Sequence, residues 1–227
     1  MSRTGERIAW LSKFMREERY DMLCRTLEHR TRYMTVCLEN IYHSQNASAV
    51  VRSCEAFGIQ DIHAVEAVCR FSPNTNIVRG TDKWVDIHRY REDEYPVREL
   101  VHRLRKEGYR IVATSPHAEG ATPETFDVRK GKFALFFGTE KEGISEEVKR
   151  EADEFIRIPM VGFVESLNIS VSAAILLYQL SQRVREQVSG WELTGTEKEE
   201  VLLRWMKESV KDSHRLLDRL EREEVKL

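Results

Sequence analysis

Long apolar runs are missing from this 227-residue chain. No stretch approaches the ~20 consecutive apolar residues needed to span a bilayer. The N-terminus, MSRTGERIAW, is charged and lacks the apolar centre of a secretion signal. A soluble cytoplasmic protein with no membrane partner is therefore expected. Metal and redox patterns are missing as well. The four cysteines, Cys24, Cys37, Cys54 and Cys69, form no C-x-x-C pair, and the seven histidines form no H-E-x-x-H. That excludes a zinc ribbon, a redox dithiol and a zincin, so reduced, partly buried thiols and no metal are expected. Nor is there a glycine-rich phosphate loop. G-x-G-x-x-G does not occur, and the GTEKEG segment at 138–143 is followed by Ile144, not by the Lys of a Walker loop. Finally, positive charge is not in excess. Lys and Arg number 36 against 38 Asp and Glu, where dedicated nucleic-acid binders are usually basic. The average hides an asymmetry, because residues 1–32 hold eight Lys/Arg against five Asp/Glu. A local basic face can bind phosphates even on a slightly acidic protein.

What is present is enough apolar material for one substantial core: 41% hydrophobic residues, with 33% charged residues to solvate the surface. The first thirty residues carry Ile8, Leu11, Phe14 and Met15, then Met22, Leu23 and Leu27, at helical spacing. From Met34 the pattern changes. Segments 34–41 and 62–67 are short, apolar and strand-like, and the helical stripe of 47–58 lies between them, so a parallel β-α-β unit is expected. Further on, 84–90, 109–116, 133–138 and 155–160 read as strands, 97–108 and 169–186 as helices, and Ser145 as the N-cap of another helix. Residues 70–83 read as irregular. This alternation predicts an α/β domain with a mostly parallel sheet. After Gly190 a charged segment reads as one amphipathic helix, with a stripe that includes Leu202, Trp205, Met206, Val210 and Leu217. Such a stripe must pack on the domain or on a partner chain.

Ligands of open parallel sheets bind beyond the carboxyl ends of the strands. Three loops at such ends carry unusual polar residues. Asn46 stands at an expected helix start, with Arg52 nearly two turns on; taken alone, these are an N-cap and a surface arginine. Gly138 to Gly143 could be no more than a tight turn. The segment from Ile158-Pro159-Met160 to Ser166-Leu167-Asn168 could be a capped helix start, although it is longer than usual for a strand-to-helix connection. The three together, in this order, are far more specific than any one of them.

Written out as NASAVVR, FFGTEKEGI and IPMVGFVESLNISVSAAILLY, they resemble the three motifs of the SPOUT-class RNA 2′-O-methyltransferases, in the SpoU/TrmH branch. The resemblance covers roughly residues 34–185 and is strongest to the branch members that act on tRNA. It implies an α/β fold with a C-terminal trefoil knot, S-adenosyl-L-methionine as cofactor, a homodimer, and transfer of a methyl group to the ribose 2′-hydroxyl of a guanosine in the tRNA D-loop. By position, Asn46, Arg52, Glu140, Ser166 and Asn168 match the family's catalytic residues. Thr114, Gly138, Ile158 and Leu167 would hold the cofactor. Arg25, Arg30, Arg183 and Arg185 are the candidates for gripping RNA. One position departs from the pattern: Gln45 stands where members often carry His before the motif-one Asn. The implied organisation is a helical RNA-binding arm over 1–32, the methyltransferase domain over 33–187 and a helical extension over 188–227.

A guanidinium with a pKa above ~12 is a poor base. Bidentate contact with the target's phosphate is therefore the better role for Arg52. Three other readings stay open at this point. A ribosomal-RNA enzyme of the same class is disfavoured by the absence of room for an N-terminal RNA-binding domain. A non-catalytic RNA-binding module is disfavoured by three intact motifs. A generic nucleotide-binding enzyme is disfavoured by the missing phosphate loop.

Overall fold

The computed structural model describes residues 2–91, 96–139 and 142–224. They divide into two compact units, one made of residues 31–191 and the other of 1–30 with 192–227.

The larger unit is an α/β domain. Its strands are β1 (Met34–Glu39), β2 (Asp61–Val65), β3 (Asp86–Tyr90), β4 (Arg110–Thr114), β5 (Phe133–Phe137) and β6 (Glu154–Ile156). Among the described residues these six form one sheet in the order β3-β2-β1-β5-β4-β6, with every pairing parallel. The sheet is covered on both faces, which is why its central strands are continuous apolar runs. Alternate residues go to opposite sides. Val36 and Leu38 join the core under α3 (Ser44–Ala56) and α7 (Ile169–Gln187). Cys37, Ala134 and Phe136 join the core under α5 (Pro96–Lys106) and α6 (Glu146–Glu151). Burial pushes the Cys37 thiol well up, so it is inert.

Strand and helix types agree with the sequence pattern, but two regions differ from expectation. The segment 70–83 contains a short helix, α4 (Thr75–Val78), capped by Asn74, and a 3-10 turn at Thr81–Trp84. Four-residue elements are too short to leave a periodic signature. The second difference is β6, expected over 155–160 and observed only at Glu154–Ile156. The chain leaves the sheet there because Pro159 cannot donate to a ladder.

The edge strand β6 is flanked on both sides by the same stretch of chain. Thr114 at the end of β4 pairs with Ile156 on one side, and Ala121 pairs with Ile156 on the other. Arg157 N donates to Ala121 O, and Ala121 N donates to Phe155 O, both at 2.9 Å. Gly120 permits this approach, since a Cβ there would lie 2.4 Å from the carbonyl oxygen of Phe155. The loop after β4 therefore wraps around the strand that comes after β5.

At the opposite edge, β2 and β3 carry a buried polar cluster. His63 Nδ1 lies 3.0 Å from the Tyr90 hydroxyl, and its ring stacks on His88 at 4.9 Å between centroids. His88 Nε2 reaches Asp61 Oδ1 at 2.9 Å, and Arg32 Nε reaches Asp61 Oδ2 at 2.8 Å. Burial, seconded by the neighbouring His88, pushes His63 down to about 3, so it is neutral at ordinary pH. Burial alone would raise Asp61, but the His88 hydrogen bond and the Arg32 charge outweigh it and hold its carboxyl below the usual range.

The smaller unit is helical. It contains α1 (Arg3–Ser12), α2 (Glu17–Leu27), α8 (Gly195–Ser209) and α9 (Ser213–Glu224). The two ends of the chain thus form one compact body. Thr194 and Glu197 make a reciprocal capping box at the start of α8. The segment expected as one helix breaks after Ser209, and Asp212 adopts a left-handed φ of 54°. Trp205 and Met206 are fully buried, as the amphipathic stripe required. Ion pairs join Arg7 to Glu221 and Lys198 to Glu28. Among the described residues no helix is long and apolar enough to cross a membrane.

Candidate active site

β1, β5, β4 and β6 are neighbours in the sheet, so the loops leaving their carboxyl ends share one rim. These are residues 40–43, 138–145, 115–121 and 157–168. The last three loops and the start of α7 enclose a cavity of about 290 Å³. That is close to the lower end of the ~300–1,000 Å³ typical of ligand pockets.

All four positions matched to cofactor binding, Thr114, Gly138, Ile158 and Leu167, line this cavity, and so does Ser166. Each is placed by local chemistry. Thr114 ends β4, and its hydroxyl donates to the Phe136 carbonyl at 2.8 Å, tying two strand ends together. Gly138 opens a tight loop closed by Thr139 and Gly143, whose backbones exchange hydrogen bonds at 2.9 and 3.0 Å. A Cβ on Gly138 would fall 2.0 Å from the Gly143 backbone, so only glycine fits. The far end of that loop is clamped by the buried Glu39 at the end of β1, whose Oε2 accepts from Ser145 N at 2.9 Å. Sequence reading missed Glu39, as well as Lys149, Arg157 and Glu142 on the cavity wall. Nothing in their spacing sets them apart from surface charges; only the closing of the loops does.

The catalytic candidates divide. Asn168 caps α7, its Oδ1 accepting from Ser170 N at 2.8 Å. Its amide Nδ2 donates to Asn46 Oδ1 at 3.1 Å, across 122 residues of sequence. Motif one and motif three therefore meet at the cavity rim. Asn46 is not the N-cap the sequence suggested. Helix α3 begins at Ser44 with His43 as its cap residue, which leaves Asn46 in the first turn with its side chain available to Asn168. Arg52 lies six residues further on, roughly 9 Å along the helix at 1.5 Å per residue. It is exposed, and its Nη1 donates to the Ile77 carbonyl at 3.0 Å, outside the cavity wall. Glu140 lies outside the described residues.

The arginines expected to grip RNA also separate. Arg25 is exposed on α2. Arg183 is partly buried and donates to the Pro123 carbonyl at 2.6 Å. Arg185 donates to the Phe57 carbonyl at 2.7 Å and stacks on Trp191, and burial depresses its pKa. Arg30 requires a correction. It is 1% exposed, with its guanidinium 5.1 Å from the centre of the Trp205 ring, so it is a core residue of the helical unit and not a surface phosphate contact. Sequence could not separate these cases, because a long basic side chain reads the same whether it faces water or an indole.

Comparison with known proteins agrees with the geometry. Residues 33–178 match the model of the SpoU rRNA Methylase family. The chain belongs to that family. A tRNA (guanosine(18)-2′-O)-methyltransferase of Borreliella burgdorferi is 37% identical over 91% of this chain and 93% of its own length. One from Escherichia coli is 33% identical over 76% of this chain and 72% of its own. Among solved structures, a TrmH/SpoU tRNA modifying enzyme from A. aeolicus superposes with a TM-score of 0.75 at 32% identity, covering 86% of this chain and 98% of that one.

Proposed function

We propose that this chain is a tRNA (guanosine(18)-2′-O)-methyltransferase that uses S-adenosyl-L-methionine. The observation that carries the reading is the Asn46–Asn168 hydrogen bond at the rim of a cavity walled by motifs two and three. The names of the full-length relatives point to the same substrate.

The cavity suits the cofactor chemically. Apolar Ile158 and Leu167 would sandwich the adenine, backbone around Thr114 and Gly138 would bond its polar edges and the ribose, and Lys149, Arg157 and Glu142 would meet the charged methionyl end. When bound, S-adenosylmethionine supplies an electrophilic methyl group. The protein's task is then orientation, which by itself can provide ~7–11 kcal/mol. Asn168 and Asn46 fix the rim where the ribose 2′-hydroxyl arrives, and Ser166 lies beside them. Arg52 grips the phosphate of the target nucleotide and stabilises the oxygen as its proton leaves. Its exposed position on α3 suits a group that meets RNA from outside the cavity.

Details of this chain support two further features of the class. A trefoil knot is supported by the loop after β4, which lies on both sides of β6. A homodimer is supported by exposed large apolar side chains in the third motif and on α7, which a partner subunit would cover: Val161 and Phe163 are fully exposed, and Val164, Val171 and Tyr178 more than 45% exposed. The helical unit serves as an RNA-gripping appendage, with Arg25 on its surface, and Arg183 on α7 is a separate candidate within the α/β unit. The enzyme works in the cytoplasm.

The test is incubation with methyl-labelled cofactor and, separately, bulk tRNA and bulk ribosomal RNA, with nucleoside analysis of the products. The label should appear as 2′-O-methylguanosine in tRNA. The family's description favours one other reading, a ribosomal-RNA substrate. Label in ribosomal RNA alone would establish that one, and label in neither would end both.

A further inference from the structure

A second cavity, of about 340 Å³, lies against α4 within the same α/β unit. Its wall carries Arg70, Arg89 and Arg91 around the edge of Phe71. None of these belongs to the three motifs; Arg70 falls in the segment read as irregular and Arg89 in the expected strand 84–90. The arrangement is built rather than accidental. The side chain of Glu66 at its base is 1% exposed. Its Oε1 accepts from Phe71 N at 3.0 Å and from Arg89 Nη1 at 2.7 Å, and its Oε2 lies 3.7 Å from Arg91 Nη1. Arg89 also donates to the Phe71 carbonyl and sits 5.7 Å from the centre of that ring. A buried carboxylate thus orders the Arg89 guanidinium, whose side-chain entropy is lost before any ligand arrives, and lies within ion-pair distance of Arg91. Arg70 adds a third, exposed one. The opposing charge on the wall is Asp82.

The location gives the cluster its meaning. Thr75 and Val78, at the two ends of α4, line this cavity, while the carbonyl of Ile77 between them holds Arg52. Asn74 N donates to Ser48 Oγ at 2.7 Å, which bolts the segment to α3. One short helix, α4, therefore contacts both the guanidinium assigned to the target phosphate and the arginine-walled cavity.

We infer that Arg70, Arg89 and Arg91 form a second phosphate-binding subsite, which holds the RNA strand flanking the target nucleotide. The inference rests on the RNA-methyltransferase reading above. The subsite positions RNA without reading its sequence, and its residues all belong to the α/β unit.

Arg70 tests it, because its loss does not unpair Glu66. Binding of tRNA to the Arg70→Ala protein is measured across a salt series, with the Kd for S-adenosylmethionine as the control for folding. The expected result is a Kd for tRNA raised about fivefold to tenfold near 0.1 M salt, together with a log–log salt slope shallower by about 0.7–0.9, the signature of one lost phosphate contact. Asp82→Asn should act in the opposite sense and tighten tRNA binding about twofold to threefold, a gain that misfolding cannot imitate. Wild-type affinity and slope in both variants would overturn the subsite, and so would weaker binding with an unchanged slope. If the wild-type protein methylates no RNA at all, the underlying functional reading fails instead, and the two failures are told apart by the wild-type assay.

Discussion

Two regions meet at the carboxyl ends of β1, β5, β4 and β6, and they are built in opposite ways. The cavity is made of backbone turns and short or apolar side chains, locked by the Thr139–Gly143 closure, the Thr114–Phe136 bond and the Glu39 clamp on Ser145. The rim beside it is exposed and polar, with Asn46 and Asn168 paired and Arg52 turned outward toward Ile77. A cofactor site has to be shaped before its ligand arrives, because a loosely held pocket loses affinity to ordering costs. A substrate-facing rim has to remain open to a large polyanion. Changes in the first region should therefore affect cofactor affinity and stability, whereas changes in the second should affect turnover.

The sharpest way to break this division is Arg52→Ala. Transfer to tRNA should fall by about a thousandfold or more, the scale seen on losing a charge-stabilising group at a reacting centre, while calorimetry gives a cofactor Kd within a few-fold of wild type. Lost cofactor binding with retained turnover would reverse the assignment. Next is Gly138→Ala, which drives a methyl group into the Gly143 backbone. Cofactor affinity should drop by about a hundredfold, or ~2.7 kcal/mol, with kcat at saturating cofactor much less affected. Leu167→Ala should show the same pattern on a smaller scale, about tenfold in cofactor Kd, consistent with ~1.5 kcal/mol of lost apolar contact. Asn168→Ala lies at the boundary. It removes both the rim bond and the α7 cap, so turnover should fall and thermal unfolding should shift by about 1 kcal/mol of lost capping. Turnover unchanged in that variant would separate the rim from the chemistry altogether.

The smallest effect at working pH concerns the far edge of the sheet and serves as a control. His63 folds as the neutral form, with its pKa pushed down to about 3 by burial and by His88. Its unfolded value is near 6.5. The neutral form is thus favoured in the folded state, and the associated stability is complete above pH ~6.5. It is lost as the pH falls from there toward 3, because the unfolded chain then binds the extra proton, at up to ~1.4 kcal/mol per pH unit. Asp61, held below its usual range, adds to the loss only below about pH 4. His63→Asn or His63→Gln should flatten the urea-midpoint profile between pH 6.5 and 4.5. A profile as steep as wild type would place the titrating group elsewhere.

Much of the fold was legible in the residues. Short, continuous apolar runs identified β1, β2, β4 and β5, and the stripe from Ala47 to Phe57 identified α3. The boundaries were less so: Asn46 was placed at a cap position when the cap is His43. The cofactor-binding positions were legible only because three motifs occurred in order. Arg30 shows the limit, since its core packing against Trp205 depends on α8 folding back against α2. The arginine-walled cavity was invisible for the same reason. Arg70, Arg89 and Arg91 look like scattered surface charge until β2 and β3 pair and Glu66 closes beneath them.

By itself, then, the sequence determined the repeating units: which segments are strand or helix, which faces are apolar, and where glycine and asparagine must stand. Those properties arise from local sterics and from periodicity, which act over a few residues. The tertiary structure decided what meets what. Inserting β5 between β1 and β4, and wrapping the 115–121 loop around β6, bring Asn46 to Asn168 and close the walls of the cavity. Such contacts join residues far apart in the chain, up to 122 positions for Asn46 and Asn168, and no local preference encodes them; they are selected by the burial of both sheet faces and by the need to satisfy every polar group at the strand ends.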